Sequence, residues 1–340
     1  KTENVFSNNL IYDVNNVEIR GETNNKATSR KLIEKAFEKA FGVFIDKTLL
    51  REDALKLYET QPEIIKDLVL TYQIIQKEKT NNKETLSTYN IKFDPKKINN
   101  FLAEKGISYA DISNISLTLL PILIIDKNIF LYEKNFFYKN WIRSKGVIEN
   151  TNDELITYNL ALENIEDLEY INNFKDSADL IDIKKIDSFK ESTNYALLVI
   201  YSTEDKFKAF IKTSINNKAI NRNIELNFYT ANKKKSYEEA VTIIKKEIKQ
   251  IWKEQNLIDA SITSFLDCFL EIKNIDDYLK FKSILDSIDI IENYSVLEIT
   301  NKYLKMRIKY KGKVNKIKDK LTKQKVNIRI EDNVWKLIIK

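Results

Sequence analysis

Histidine is absent from this chain, and cysteine occurs once, at Cys268. Zinc sites built from Cys and His, haem ligation by His and every His-based catalytic triad are therefore excluded. A single thiol forms no disulfide within its own chain. The five glycines, Gly21, Gly42, Gly106, Gly146 and Gly312, stand too far apart to build a phosphate-cradling loop. P-loop and dinucleotide-binding chemistry go with them. No apolar run approaches the ~18 residues of a membrane span. The longest, Leu117 to Ile125, is interrupted by Thr118 and Pro121 and reads as a buried strand. Carboxylates, lysines and tyrosines remain for catalysis, but no spacing singles out a pair. The expectation is a protein that is not an enzyme and carries no cofactor and no metal.

What is present fills cores. Of 340 residues, 43% are hydrophobic, enough for two or three domains. The clearest element is an amphipathic helix over Asn25 to Leu50. Leu32, Ile33, Ala36, Phe37, Ala40, Phe41, Phe44 and Ile45 recur at the three-and-four spacing of one helical face. On the other face Glu34 precedes Glu38 and Lys35 precedes Lys39, so like charges stack and give an isolated helix no support. The helix must gain its stability by burying its phenylalanines, and period-two segments on both sides nominate a sheet. A strand over Asn9 to Gly21, helical pieces at Glu52 to Tyr58 and Glu63 to Leu70, and a hairpin of Val69 to Glu78 with Thr85 to Phe93 around residues 80–83 complete the picture. With a short helix from Pro95 to Gly106, residues 1–110 read as helices on one face of an antiparallel sheet.

A second domain is expected over 112–258. It opens with the apolar strand Ile115 to Ile125 and continues into an aromatic segment, Phe130, Tyr132, Phe136, Phe137, Tyr138 and Trp141. Such a cluster is either a partner surface or a loop that folds back and plugs the edge of its own core. Helical stretches follow at Ile156 to Leu168 and Ala178 to Phe189. Next come three strands, Tyr195 to Tyr201, Lys206 to Thr213 and Asn223 to Thr230. Ser236 and Glu239 are spaced as a capping box for a final helix, whose inner face carries Tyr237, Ala240, Val241, Ile244, Ile248, Ile251 and Trp252. This middle domain is expected to be layered α/β.

Residues 262–340 read strand, helix, hairpin, helix, closing strands, the β-α-β-β-α-β order of a ferredoxin-like domain. The whole is α+β: an N-terminal helix-on-sheet domain, a middle α/β layered domain and a C-terminal ferredoxin-like domain. Charge is segregated along it. Residues 301–340 hold 14 Lys or Arg against three acids, a net +11, which leaves −5 on the other 300 residues of a chain whose total is +6. In Tyr303 to Lys311, alternation places Lys305, Arg307, Lys309 and Lys311 on one face of the sheet. That face is either a solvated surface enriched in lysine by codon drift, a phosphate-binding surface, or one attracted to an anionic membrane surface. The Gly-aromatic pattern of RNA-recognition strands is missing, and the first strand offers Glu271.

Val17 to Leu50 resembles the start of a proteobacterial family of secreted envelope proteins, domain-of-unknown-function family 2066. The resemblance lies in Val17-Glu18-Ile19, then Ala27, Arg30, Ala36, Phe37, Ala40 and Phe41, the strand Leu119-Leu120-Pro121-Ile122-Leu123 and the aromatic stretch ending at Asn140-Trp141. Members carry an Arg and a Gly after the first helix, where this chain reads Asp46-Lys47-Thr48. The resemblance implies a periplasmic protein and makes signal cleavage the expected origin of a chain starting at Lys1. The function expected is therefore a non-enzymatic periplasmic binding or scaffold protein with an envelope protein partner. Its candidate contact residues are Phe130, Tyr132, Phe136, Phe137 and Trp141, together with Lys305, Arg307, Lys309 and Lys311. The alternative is a cytosolic nucleic-acid-binding protein using the same basic face.

Overall fold

The computed structural model describes residues 11–22, 25–79, 84–110, 114–142, 155–174, 177–203, 207–229, 232–300, 302–331 and 334–339. The expected turn residues 80–83, Asn301, Asp332 and Asn333 lie outside them, as do Glu204 and Asp205. The chain divides into two compact units, Lys1–Asp111 with Asn256–Lys340, and Ile112–Gln255.

The first unit begins with β1 (Asp13–Glu22) and the long helix α1 (Lys26–Thr48). Asn25 caps α1: its side chain accepts from Thr28 N at 2.9 Å, and Thr28 Oγ1 accepts from Asn25 N. The phenylalanine face is buried as its spacing dictates, with Phe44 stacked on Tyr12 and tilted against Phe93. Gly21 gives room where β1 meets α1: a Cβ there would sit 2.6 Å from Leu32 Cδ2, so a larger residue would force the Leu32 side chain to shift. Short helices α2 (Arg51–Leu57) and α3 (Pro62–Leu68) lead to β2 (Val69–Lys79) and β3 (Glu84–Phe93), in an antiparallel sheet of order β1-β3-β2. Asp94 caps α4 (Pro95–Glu104), and Gly106, at φ +65°, follows its end. The strand β4 (Tyr109–Ala110) closes this segment.

The second unit is one mixed sheet. Its central strand β5 (Ile115–Ile125) pairs with β6 (Asn128–Phe130) antiparallel, and with β7 (Ile156–Leu160) and β8 (Tyr195–Ser202) in parallel. Between these strands lie α5 (Phe136–Asn140) and α6 (Ile165–Asn172). Strands β9 (Phe207–Ile215) and β10 (Lys218–Glu225) extend the sheet to the order β10-β9-β8-β5-β6, and α7 (Lys233–Gln255) buries Tyr237 through Trp252 as expected. The expected helix over Ile156 to Leu168 is instead β7, a loop and the start of α6. Ile156, Thr157 and Tyr158 find parallel partners on β5, and that pairing outweighs a weak helical period. The expected helix over Ala178 to Phe189 is three separate 3-10 turns. Its buried residues Ala178, Ile181, Ile183, Ile186 and Phe189 recur mostly at intervals of three, and buried Asp167 draws off the amides of Asp187 and Ser188. The start of α7 also differs. Asn232, four residues before the expected cap Ser236, accepts from Lys235 N at 3.0 Å, while Ser236 is buried and accepts from Tyr229 N.

The chain then returns to the first unit. β11 (Leu257–Ile258) pairs with β4, and a five-stranded sheet follows. It contains β12 (Thr263–Glu271), β13 (Ile291–Ile299), β14 (Tyr303–Lys311), β15 (Val326–Glu331) and β16 (Val334–Ile339), with α8 (Ile275–Ser287) and α9 (Val314–Lys323) as connections. The order is β13-β14-β12-β16-β15, and β16 runs parallel to β12. In a plain β-α-β-β-α-β arrangement the strand after the second helix would lie beside the first. Here the hairpin partner β16 takes that place and moves β15 to the edge. The first and last segments, expected as separate domains, share one unit through a buried polar joint. Tyr12 Oη lies 3.0 Å from Asp289 Oδ2 and 3.1 Å from Asn99 Oδ1; Asn99 Nδ2 donates to Asp289 O; and Lys320 Nζ pairs with Asp289 Oδ1 at 2.9 Å. No helix among the described residues is long and apolar enough to cross a membrane.

Candidate functional site

The aromatic segment is an internal fixture of the second unit. Tyr132, Phe137 and Trp141 are buried, and Phe130 and Phe136 are half-buried. The segment rounds the β5 edge and sends side chains to both sheet faces. Tyr132 joins the core built on Leu120, Ile122 and Val199, and Tyr138 packs against it and donates to Ala161 O. Phe136 and Phe137 meet Tyr237 of α7 at 5.2 Å, and Trp141 meets Tyr158 at 5.5 Å. Asn135 holds the bend: its buried amide donates to Pro121 O at 2.9 Å and Phe130 O at 3.1 Å, and its oxygen accepts from Phe137 N. Pro121 falls in the gap between the β7 and β6 pairings, so on that edge of β5 its missing N–H costs no ladder hydrogen bond, while β8 runs along the other edge. Of the two sequence readings, these contacts are those of an edge plug.

The basic strand does place its four cations on one face, and that face is already answered. Arg307 holds Asp267 through two hydrogen bonds, of 2.6 and 2.7 Å. Lys309 and Lys311 share Glu292 at 2.8 and 2.9 Å, and Lys305 lies over the Phe269 ring at 5.8 Å. The hydrogen bond from Arg307 holds the Asp267 carboxyl below its usual range. Burial pushes the Glu292 carboxyl up, but the hydrogen bonds from the two lysines outweigh it and hold it low as well. The other side of β14, Leu304, Met306, Ile308 and Tyr310, is buried on the same side as Leu266, Cys268 and Leu270 of β12. Burial pushes the Cys268 thiol up to about 12, which makes it a core residue and a poor nucleophile.

Two features of this sheet escaped the sequence reading. Phe265 and Phe269 stand opposite Lys309 and Lys305 on the helix-free face, so aromatics do interleave with its cations. Their alternate spacing in β12 was visible, but not which face would stay uncovered. The second feature is a groove of about 830 Å³ at the end of that face. Phe269, Tyr303, Val334 and Ile338 give it apolar walls, and Lys273, Lys280, Lys302 and Lys336 surround it. Lys336 is paired with Glu331, and Asp277 accepts from the Lys273 amide. Lys273, Lys280 and Lys302 have no acidic partner among the described residues, against one uncommitted carboxylate, Glu271. Uncommitted positive charge therefore lies at the rim of this groove, while the strand that alternation singled out is internally paired. A groove of this size and mixed lining accommodates a short apolar stretch bearing negative charge.

No family model matches the chain, and no curated protein or solved structure matches it. Among the described residues no cluster of Asp, Glu or Cys is placed to hold a metal ion.

Proposed function

We propose that this is a non-enzymatic binding or scaffold protein of the cell envelope, which grips an acidic, apolar-bearing segment of a partner protein in the Phe269–Tyr303–Ile338 groove. The observation that carries the reading is the groove itself, whose apolar walls adjoin three lysines with no acidic partner among the described residues. Placement in the periplasm rests on the resemblance of Val17 to Leu50 to the secreted envelope family. The test is crosslinking in intact cells with the full-length gene product, comparing Lys273→Glu/Lys280→Glu/Lys302→Glu with the unaltered chain. Loss of a discrete crosslinked partner with unchanged protein level is expected; undiminished crosslinking would refute the groove.

The second reading keeps the cytosolic nucleic-acid-binding alternative, supported by Phe265, Phe269 and Tyr303 beside the β14 cations. Single-stranded nucleic acid would stack on those rings and meet its phosphates at the cations. The paired state of Arg307, Lys309 and Lys311 weighs against it, since phosphates would have to displace carboxylates already in contact. Its signature would be an affinity for an oligonucleotide that falls steeply with log salt.

A further inference from the structure

A surface helix turns its apolar stripe inward, and α6 does the opposite. It buries the carboxylate of Asp167 together with Ile171, and turns Ile165 and Leu168 outward, 74% and 41% exposed. Leu162, just ahead of the cap Asn164, is 82% exposed. The cause is local. Asp167 is held inward by the amides of Asp187 and Ser188, so Ile165, Leu168 and Glu169, at the three-and-four spacing, take the solvent side. From Leu162 to Phe174 the chain has no Lys or Arg. Glu163, Glu166 and Glu169 are exposed and form no ion pair among the described residues. Lys190, whose charge Glu166 feels, is paired with Asp187.

The groove of the first unit asks for the chemistry that α6 displays. Exposed apolar side chains flanked by three unpaired carboxylates match apolar walls flanked by three lysines with no acidic partner among the described residues. Given a groove that grips an acidic, apolar-bearing segment, we propose that the segment is α6 of a second copy of this chain. Ile165 and Leu168 then lie against the Phe269, Tyr303 and Ile338 walls, and Glu163, Glu166 and Glu169 face Lys273, Lys280 and Lys302. Leu55 and Ile64 are exposed too, but α2 and α3 carry Arg51, Lys56 and Lys66 beside them, which the groove lysines would repel. The apolar residues Leu70, Tyr72, Ile74 and Ile75 of β2 are followed by no acid before Glu78. Charge segregation along the chain, +11 over residues 301–340 against −5 elsewhere, favours a contact of this kind. Each copy offers one groove and one α6, two different surfaces, so the contact is heterologous and joins copies head to tail.

Sedimentation velocity of the purified full chain over a wide concentration range tests the contact. Two variants go with it, the groove triple Lys273→Glu/Lys280→Glu/Lys302→Glu and the helix double Ile165→Ser/Leu168→Ser. All five positions are exposed, and circular dichroism on each variant checks folding. The unaltered chain is expected to assemble. The helix double should weaken assembly by roughly a hundredfold or more, the worth of two buried large apolar side chains, and the groove triple should abolish it. An equimolar mixture of the two variants should form a one-to-one dimer and stop there, because it holds one intact groove and one intact α6. Adding Glu163→Lys/Glu169→Lys to the groove triple should restore association, since both charges are then reversed. A monomeric unaltered chain, assembly indifferent to either variant, a mixture that stays monomeric, or a charge reversal without rescue overturns the proposal. A purified monomer whose groove triple still loses its crosslink in cells removes the second copy and keeps the groove, whereas undiminished crosslinking removes the groove itself.

Discussion

Asp289 is the residue on which the first unit turns. Its carboxylate is buried, and it meets Tyr12 from the start of the chain and Lys320 from α9, while its backbone carbonyl receives Asn99. Removing it takes a buried carboxylate away from the Lys320 ammonium and an acceptor away from the Tyr12 hydroxyl. Asp289→Ala is expected to destabilise the unit by about 3–5 kcal/mol in urea denaturation. A loss below 1 kcal/mol would show that the joint is not closed. Tyr132 offers a different test. Burial pushes its hydroxyl up to about 12. Folded and unfolded forms are both protonated below about pH 10, so stability there does not depend on this group. Above that, the unfolded chain releases the proton while the folded one retains it, and stability falls as pH rises toward 12. The full share is on the order of 2–3 kcal/mol. Tyr132→Phe should remove that part of the alkaline slope, measured as the difference between two pH-dependent denaturation series.

At the scale of elements, Asn135 does the work of a missing strand beside Pro121. Asn135→Ala leaves the Pro121 carbonyl buried without its donor and should cost the second unit about 1–3 kcal/mol, read as a lowered urea midpoint. Elements with one dominant period were legible in the sequence. The phenylalanine stripe of α1, the cations of β14 and the inner face of α7 are where their spacing puts them. Elements held by distant partners were not legible. β7 is a strand because β5 lies beside it, the Ala178 to Phe189 stretch is broken by the carboxylate of Asp167, and β15 is displaced because its own hairpin partner occupies the slot next to β12. The candidate site divides in the same way. Alternation located the cations of β14, but their acidic partners Asp267 and Glu292 sit on neighbouring strands, and the groove draws on β12, α8, β14, β15 and β16 together. No local pattern reports such a convergence.

For the whole molecule, the absence of histidine sets the pH response. No unperturbed side chain changes charge between about pH 6 and 8, so stability should form a plateau there. Below it, Asp187, Asp267 and Glu331, held low by hydrogen bonds from Lys190, Arg307 and Lys336, keep their stabilising share until protons reach their depressed range. Stability contributed by such groups is present above the unfolded value of about 4 and is lost as pH falls through the folded one. A denaturation midpoint that moved sharply between pH 6 and 8 would contradict this. The charge segregation along the chain has a related explanation: much of the basic surplus is spent within the first unit, on Asp267, Asp289, Glu292 and Glu331, and what remains uncommitted includes the rim of the groove. The most direct test of that claim compares two triple charge reversals for partner crosslinking in intact cells, Lys273→Glu/Lys280→Glu/Lys302→Glu at the groove and Lys305→Glu/Arg307→Glu/Lys309→Glu on β14. Loss of the crosslink with the groove triple, and its retention in the folded fraction of the β14 triple, is the predicted result. The reverse pattern would place the contact on the β14 face and contradict the account.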